Sequence, residues 1–158
     1  MSEMDIRDLM YASARTGACV LVTCNSQHLE ERKGVWTVSV TGGPWRGRPL
    51  RDKGATLDAC LPTLVGALPD RPCPSESGMD AQNLMQELSH AGVTVLVKCD
   101  GERLREGGRP WTFVASGGPM EECPVRRDDI TLDACLVNAS RLLMDIGPEW
   151  TWIEKHLP

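Results

Sequence analysis

The hexapeptide TLDACL occurs twice in this chain of 158 residues, at residues 56–61 and 131–136. The same offset of 75 residues aligns ACVLVTC with VTVLVKC, and it aligns the Trp-Thr pair at 36–37 with the pair at 111–112. No gap is needed between residues 4 and 68, and 25 of these 65 residues are identical to their counterparts. Such self-similarity predicts a tandem duplication of one structural unit.

The first part of the predicted unit is a helix followed by a buried strand. Apolar residues recur at helical spacing over residues 5–15 and again in the copy. Each helix is followed by a glycine, Gly17 or Gly92, at the position of a C-terminal cap. ACVLVTC and VTVLVKC come next, and they are short, β-branched and almost continuously apolar, which is typical of a buried strand.

The second strand of each unit alternates between apolar and polar residues, which predicts one buried and one wet face. A polar connection over residues 25–34 separates it from the first strand in the first unit. The residues predicted to face inward are Trp36, Val38 and Val40, and in the copy Trp111, Phe113 and Ala115.

The unit ends with a short third strand and a second helix. Pro49 and Pro124 open the third strands, a position that tolerates proline. TLDACL then begins a core-facing helix, in which Thr56 and Thr131 are predicted to be N-caps. Its apolar stripe in the second unit includes Leu142. Pro62 is expected to kink or shorten the first copy of this helix, because proline removes a backbone hydrogen bond.

The pattern therefore predicts an α+β fold made of two α-β-β-β-α units. We expect antiparallel sheets with helices on one face and a pseudo-twofold axis between the units. The predicted boundaries are 1–70 for the first unit, 71–78 for a linker rich in proline and serine, 79–146 for the second unit and 147–158 for a C-terminal tail. Trp150, Trp152 and Ile153 make that tail apolar, so we expect it to dock on the body of the protein, and a partner-binding segment is the alternative.

The cysteines indicate buried thiols rather than a disulfide framework or a metal centre. Their number, seven, is odd, and no Cys-x-x-Cys pair occurs, so disulfides, metal ions and other cofactors are not expected. Four of them occupy equivalent positions on apolar faces in the two units and are predicted to be buried and reduced: Cys24, Cys60, Cys99 and Cys135.

No arrangement of nucleophile, histidine and carboxylate stands out, since the three histidines occupy unrelated repeat positions. We therefore predict a protein that is not an enzyme. The acidic start lacks the order of a signal peptide, and no apolar run approaches the length of a membrane span, so a cytoplasmic protein is expected.

Charge is distributed unevenly along the chain. Residues 1–75 carry nine basic and eight acidic residues, whereas residues 76–158 carry eight and fourteen, so the net charge of −5 resides in the second unit and tail. One interpretation is an ordinary solvated surface, and the other is an acidic surface that binds a basic partner. On the second interpretation, the predicted partner-binding residues flank the third strand of the second unit: Glu121, Glu122, Asp128 and Asp129.

A nucleic-acid or nucleotide-binding regulator is the alternative hypothesis. The order α-β-β-β-α is that of the double-stranded-RNA-binding fold, although the last helix begins with Thr-Leu-Asp instead of the basic residues that this fold uses. Trp45 lies beside Arg46, Arg48 and Arg51 in the first unit and provides a possible contact. The equivalent loop of the second unit contains two glutamates, so direct nucleic-acid binding is not the favoured hypothesis.

The chain also resembles the short accessory proteins of bacteriophages and mobile elements. The resemblance lies in the small size, the Met-Ser-Glu start and segments of the form WTVSVTGGPWRGRPL and ATLDACL, and it spans most of both units. Anti-CRISPR proteins are the best-known proteins of this kind. The resemblance implies a stoichiometric, phage-encoded inhibitor that occupies a lysine-rich DNA path on a CRISPR surveillance complex of the host, and it assigns no functional residue.

Overall fold

The structure, a computed structural model, describes residues 6–25, 35–67 and 80–157, without the side chains of residues 63–67. The first half contains α1 (Ile6–Arg15), β1 (Ala18–Cys24), β2 (Trp36–Gly42), β3 (Leu50–Gly54) and α2 (Leu57–Ala67). The second half contains α3 (Ala81–His90), β4 (Thr94–Asp100), α4 (Gly101–Arg105), β5 (Trp111–Ser116), β6 (Val125–Asp129) and α5 (Leu132–Ile146). Within these described ranges, 3₁₀ segments occur at Gly43–Trp45, Gly118–Met120 and Pro148–His156.

The six strands form one antiparallel sheet in the order β3-β2-β1-β4-β5-β6. The first strands of the two halves, β1 and β4, are neighbours at its centre, and Val22 lies opposite Val97. The prediction of an α+β fold with antiparallel strands is confirmed, and a single sheet crosses both halves of the chain. Equivalent strands lie at equal distances from the centre of this sheet.

Only one face of the sheet is fully buried. Alternate residues of β1 and β4, such as Val20, Val22 and Val97, are inaccessible to solvent, whereas the residues between them are half-buried. The inward sets predicted for β2 and β5 are confirmed. Leu9 and Leu84, from the first helix of each half, belong to the same continuous core. Burial of these side chains is the main contribution to stability.

The predicted caps are confirmed at the C-terminal ends of α1 and α3 and at the N-terminal ends of α2 and α5. Gly17 and Gly92 adopt positive φ angles of 94° and 92°, so the C-terminal glycine prediction is confirmed. The amide of Ala59 donates a hydrogen bond to Thr56 Oγ1, and the amide of Ala134 donates one to Thr131 Oγ1, so both N-caps are confirmed. Helix α2 continues through Pro62 to Ala67, and the kink or shortening expected from this proline stays a prediction.

The structure corrects three details. The connection after β4 contains a short helix, α4, because Asp100 caps it by accepting hydrogen bonds from two backbone amides. The third strand of the second half extends to Asp129, since β5 offers pairing partners along that length. Leu142 is 41% exposed, because it lies at the edge of the apolar stripe of α5. The predicted linker at 71–78 and most of the 25–34 connection lie outside the described residues.

The C-terminal segment packs on the second half. Trp150 and Ile153 are buried in the core. The His156 ring nitrogen Nε2 lies 2.9 Å from Glu87 Oε2, and Lys155 Nζ lies 3.1 Å from Glu87 Oε1. The hydrogen bond with His156 is the main cause of a lowered pKa of the Glu87 carboxyl. The tail is therefore linked to α3 by polar contacts as well as by apolar burial.

Candidate functional site

The four predicted acidic residues divide into two separate pairs. Glu121 and Glu122 are exposed in the connection that precedes β6. Asp128 and Asp129 are the last two residues of β6, at the other end of that strand. The expectation that all four flank the strand is therefore wrong for Asp128 and Asp129, which lie inside it. Their assignment as partner-binding residues stays a prediction.

The charges of Asp128 and Asp129 are compensated by neighbouring side chains. Asp128 accepts a hydrogen bond from Thr112, which is the main cause of its lowered pKa, and lies 3.6 Å from Arg103 Nη1 and 3.7 Å from Arg126 Nε. The side chain of Asp129 is only 13% exposed, and its Oδ2 lies 2.9 Å from Arg127 Nε. Glu121 and Glu122 are therefore the more accessible pair of carboxylates.

The residues of the alternative nucleic-acid contact lie in the connection between β2 and β3 and at the start of β3. Trp45 packs partly against the hydrophobic core, whereas Arg46 and Arg48 are exposed beside it. Arg51 lies in β3, opposite Ser39, on the half-buried face of the sheet. Nucleic-acid binding by this loop stays a prediction.

A groove of about 460 Å³ lies between α1, α4 and the connection from β6 to α5. Ile130 and Tyr11 line it and are 69% and 45% exposed. Leu104 and the buried Trp111 complete its apolar lining. An exposed isoleucine next to an exposed aromatic residue, both in a concavity, is the kind of feature that marks a binding surface.

Charged residues surround the apolar part of this groove. Arg7 Nη2 lies 2.6 Å from Asp133 Oδ1, and this pair links α1 to the first turn of α5. Asp8, also in the lining, is buried. Asp129 immediately precedes Ile130 in the chain. The lining contains two carboxylates, Asp8 and Asp133, and one guanidinium, that of Arg7, so acidic side chains outnumber basic ones in the groove.

This groove was not predicted from the sequence, although two differences between the repeats coincide with it. Ile130 is the counterpart of Ala55, and Tyr11 is the counterpart of Gln86. Both large apolar residues therefore occur where the other half has a small or polar one.

The buried cysteines are poor nucleophiles. Cys24, Cys60, Cys99 and Cys135 are buried and free of disulfides, so the predicted burial is confirmed. Loss of hydration raises the pKa of Cys99 and of Cys135 to about 12. Both thiols are therefore protonated at neutral pH. Within residues 6–25, 35–67 and 80–157, no cluster of three or more metal-binding side chains occurs.

Comparisons with protein families, with curated proteins and with solved structures found no match. Among the helices that the structure describes, none has the length and apolar character needed to cross a membrane. The groove and its surroundings are therefore the basis for a functional proposal.

We expect the thiols to react with a disulfide reagent at very different rates. In the native protein at pH 8, exposed Cys123 should react at once, whereas the four buried cysteines should react only as the protein unfolds, because their thiolates are suppressed. The measurement is a time course of thiol titration, with mass spectrometry to assign the modified residues. A fully denatured sample is the control, and rapid native modification of Cys99 or Cys135 would contradict the described core.

Proposed function

We propose that this chain is a non-enzymatic binding protein that attaches to a basic surface of another protein. The groove between α1, α4 and α5 supplies the contact, and the acidic second half attracts the partner. The observation that carries the proposal is the exposure of Ile130 beside Tyr11 in a concavity of about 460 Å³.

The composition of the groove fits a protein partner. Interface energy is concentrated in a few apolar or aromatic residues that become fully buried on binding, and charged residues around them provide specificity. In this groove Ile130 and Tyr11 are the apolar and aromatic residues that a partner would cover, and the pair of Asp133 and Arg7 provides the charges around them. A partner that presents an apolar side chain flanked by lysine or arginine would complement this surface.

The proposal extends to an inhibitor of the anti-CRISPR type, encoded by a phage and active in the cytoplasm of the host. Protein surfaces that guide nucleic acids are rich in lysine and arginine, and an acidic protein competes for them. The excess of acidic residues in the second half, together with the accessible Glu121 and Glu122, supports this extension.

We also propose that the two halves arose by duplication of an α-β-β-β-α unit and are related by a pseudo-twofold axis. Support comes from the ungapped repeat and from the placement of equivalent strands on either side of the sheet centre. On this proposal the fold is shared by the two halves, and the binding function resides where they differ, as at Ile130 and Tyr11.

Replacement of Ile130 by lysine should weaken partner binding by about 30-fold, the effect of losing one central interface residue. The measurement is target-DNA binding by a panel of purified CRISPR surveillance complexes in the presence of increasing amounts of this protein. We expect the wild-type chain to inhibit one of them stoichiometrically. Leu142→Lys is the matched control, because Leu142 is exposed on α5 outside the groove. Inhibition of none of the complexes would contradict the inhibitor proposal, and equal inhibition by wild type and Ile130→Lys would contradict the role of the groove.

Charge-reversal variants should distinguish carboxylates that attract the partner from a carboxylate that stabilises the fold. The double change Glu121→Lys and Glu122→Lys should slow association at low salt and leave the thermal unfolding midpoint unchanged, because both side chains are exposed. Asp129→Lys should instead destabilise the fold by about 2 kcal/mol, because Arg127 and Asn138 lose their acceptor. Calorimetric melting and stopped-flow association measure the two effects, and an unchanged association rate in the double variant would refute a steering role for these glutamates.

A further inference from the structure

The half-buried face of the sheet contains a second concavity, of about 410 Å³, within the first half of the chain. Its side chains come from three adjacent strands, β1, β2 and β3. Three of them carry hydroxyls, two are cationic and one is apolar: Thr23, Thr37, Ser39, Arg51, Lys53 and Leu21. Asn25, which follows β1, also lines the concavity.

The strand register brings these groups into two adjacent rows. Thr37 lies between Thr23 and Lys53, opposite both of them across the ladder. Ser39 lies in the same way between Leu21 and Arg51. Directly opposed side chains on one face are roughly 5 Å apart, so each cation is next to a hydroxyl group.

Among the residues that the structure describes, the two cations and the three hydroxyls of this concavity have no side-chain partner, whereas Asn25 Oδ1 accepts a hydrogen bond from Thr94 Oγ1. Neither Arg51 nor Lys53 forms an ion pair there, and the three hydroxyls donate no hydrogen bond. Asp52 lies between the two cations in sequence, but it is opposite Val38, whose side chain faces the core. Among the described residues, the lining of the concavity includes no carboxylate.

In the equivalent place of the second half, a carboxylate pairs with the neighbouring cations. Asp128 occupies the position of Lys53, and Arg126 occupies that of Arg51. These two residues pair with each other, and Arg103 and Thr112 also contact Asp128. At this place of the second half the cations are paired internally, whereas Arg51 and Lys53 of the first half have no ion-pair partner among the described residues.

We infer that this concavity binds a phosphate group. An arginine guanidinium donates two parallel hydrogen bonds to phosphate oxygens, a lysine adds a point charge, and hydroxyls donate to the remaining oxygens. Arg51 and Lys53 are two residues apart on one strand, about 6.7 Å, so they can hold two linked phosphates between them. The phosphate belongs either to a small molecule or to a nucleic-acid backbone. This site is separate from the groove at Ile130 and independent of the proposed function.

The test is isothermal titration of the full chain with inorganic pyrophosphate, and separately with a twelve-residue thymidine oligonucleotide. We expect binding of at least one probe. Arg51→Ala and Lys53→Asp should each weaken it about ten-fold or more, because each removes a charge-assisted contact. Lys53→Asp reproduces in β3 the arginine and aspartate that β6 carries at positions 126 and 128. Arg126→Ala is the matched control and should bind like the wild type.

The two probes also distinguish the sources of the phosphate. Binding of the oligonucleotide in competition with pyrophosphate indicates a nucleic-acid backbone, and binding of pyrophosphate alone indicates a small phosphorylated molecule. Amide chemical-shift changes should be centred on Thr23, Thr37 and Ser39. The inference is overturned if neither probe binds, if Lys53→Asp binds as well as the wild type, or if Arg126→Ala loses as much affinity as Arg51→Ala.

Discussion

The antiparallel pairing of β1 with β4 is the interaction on which the rest of the structure depends. Each half supplies three strands and too few apolar residues for a large core, and a half alone would expose its first strand as an open edge. The pairing satisfies the backbone groups of both edges and aligns Val22 with Val97 on the buried face. One core then forms beneath all six strands.

The two candidate binding surfaces follow from this arrangement in different ways. The groove at Ile130 combines α1 from the first half with α4 and the start of α5 from the second, so it exists only when the halves are joined. The concavity at Arg51 and Lys53 uses strands of the first half alone. Both surfaces contain residues that differ from their counterparts in the other half, such as Ile130 against Ala55 and Lys53 against Asp128.

Charged residues on the two outer strands, β3 and β6, protect the edges of the sheet from pairing with another strand. β3 and β6 are five residues long and carry charges that would be desolvated if another strand were added. In β6 these charges pair internally, between Arg126 and Asp128 and between Arg127 and Asp129. In β3 the cations Arg51 and Lys53 have no such partner among the described residues, which makes that edge suitable for an anionic ligand.

Local features of the fold were predictable from sequence, because they depend on residues close together in the chain. Alternation gave the inward set of β2, and the caps at Thr56 and Thr131 followed from residue type. The order of the six strands was not predictable in this way, since it depends on contacts between residues about 75 positions apart, such as Val22 and Val97. The exposure of Ile130 and the burial of Asp129 also required tertiary structure.

Amide hydrogen exchange by NMR tests the central pairing most directly. Amides that bond across β1 and β4 should exchange only through global unfolding, with the free energy that urea denaturation gives. Exchange of those amides through much easier openings than amides bonded across β1–β2 or β4–β5 would contradict a single sheet built on that pairing.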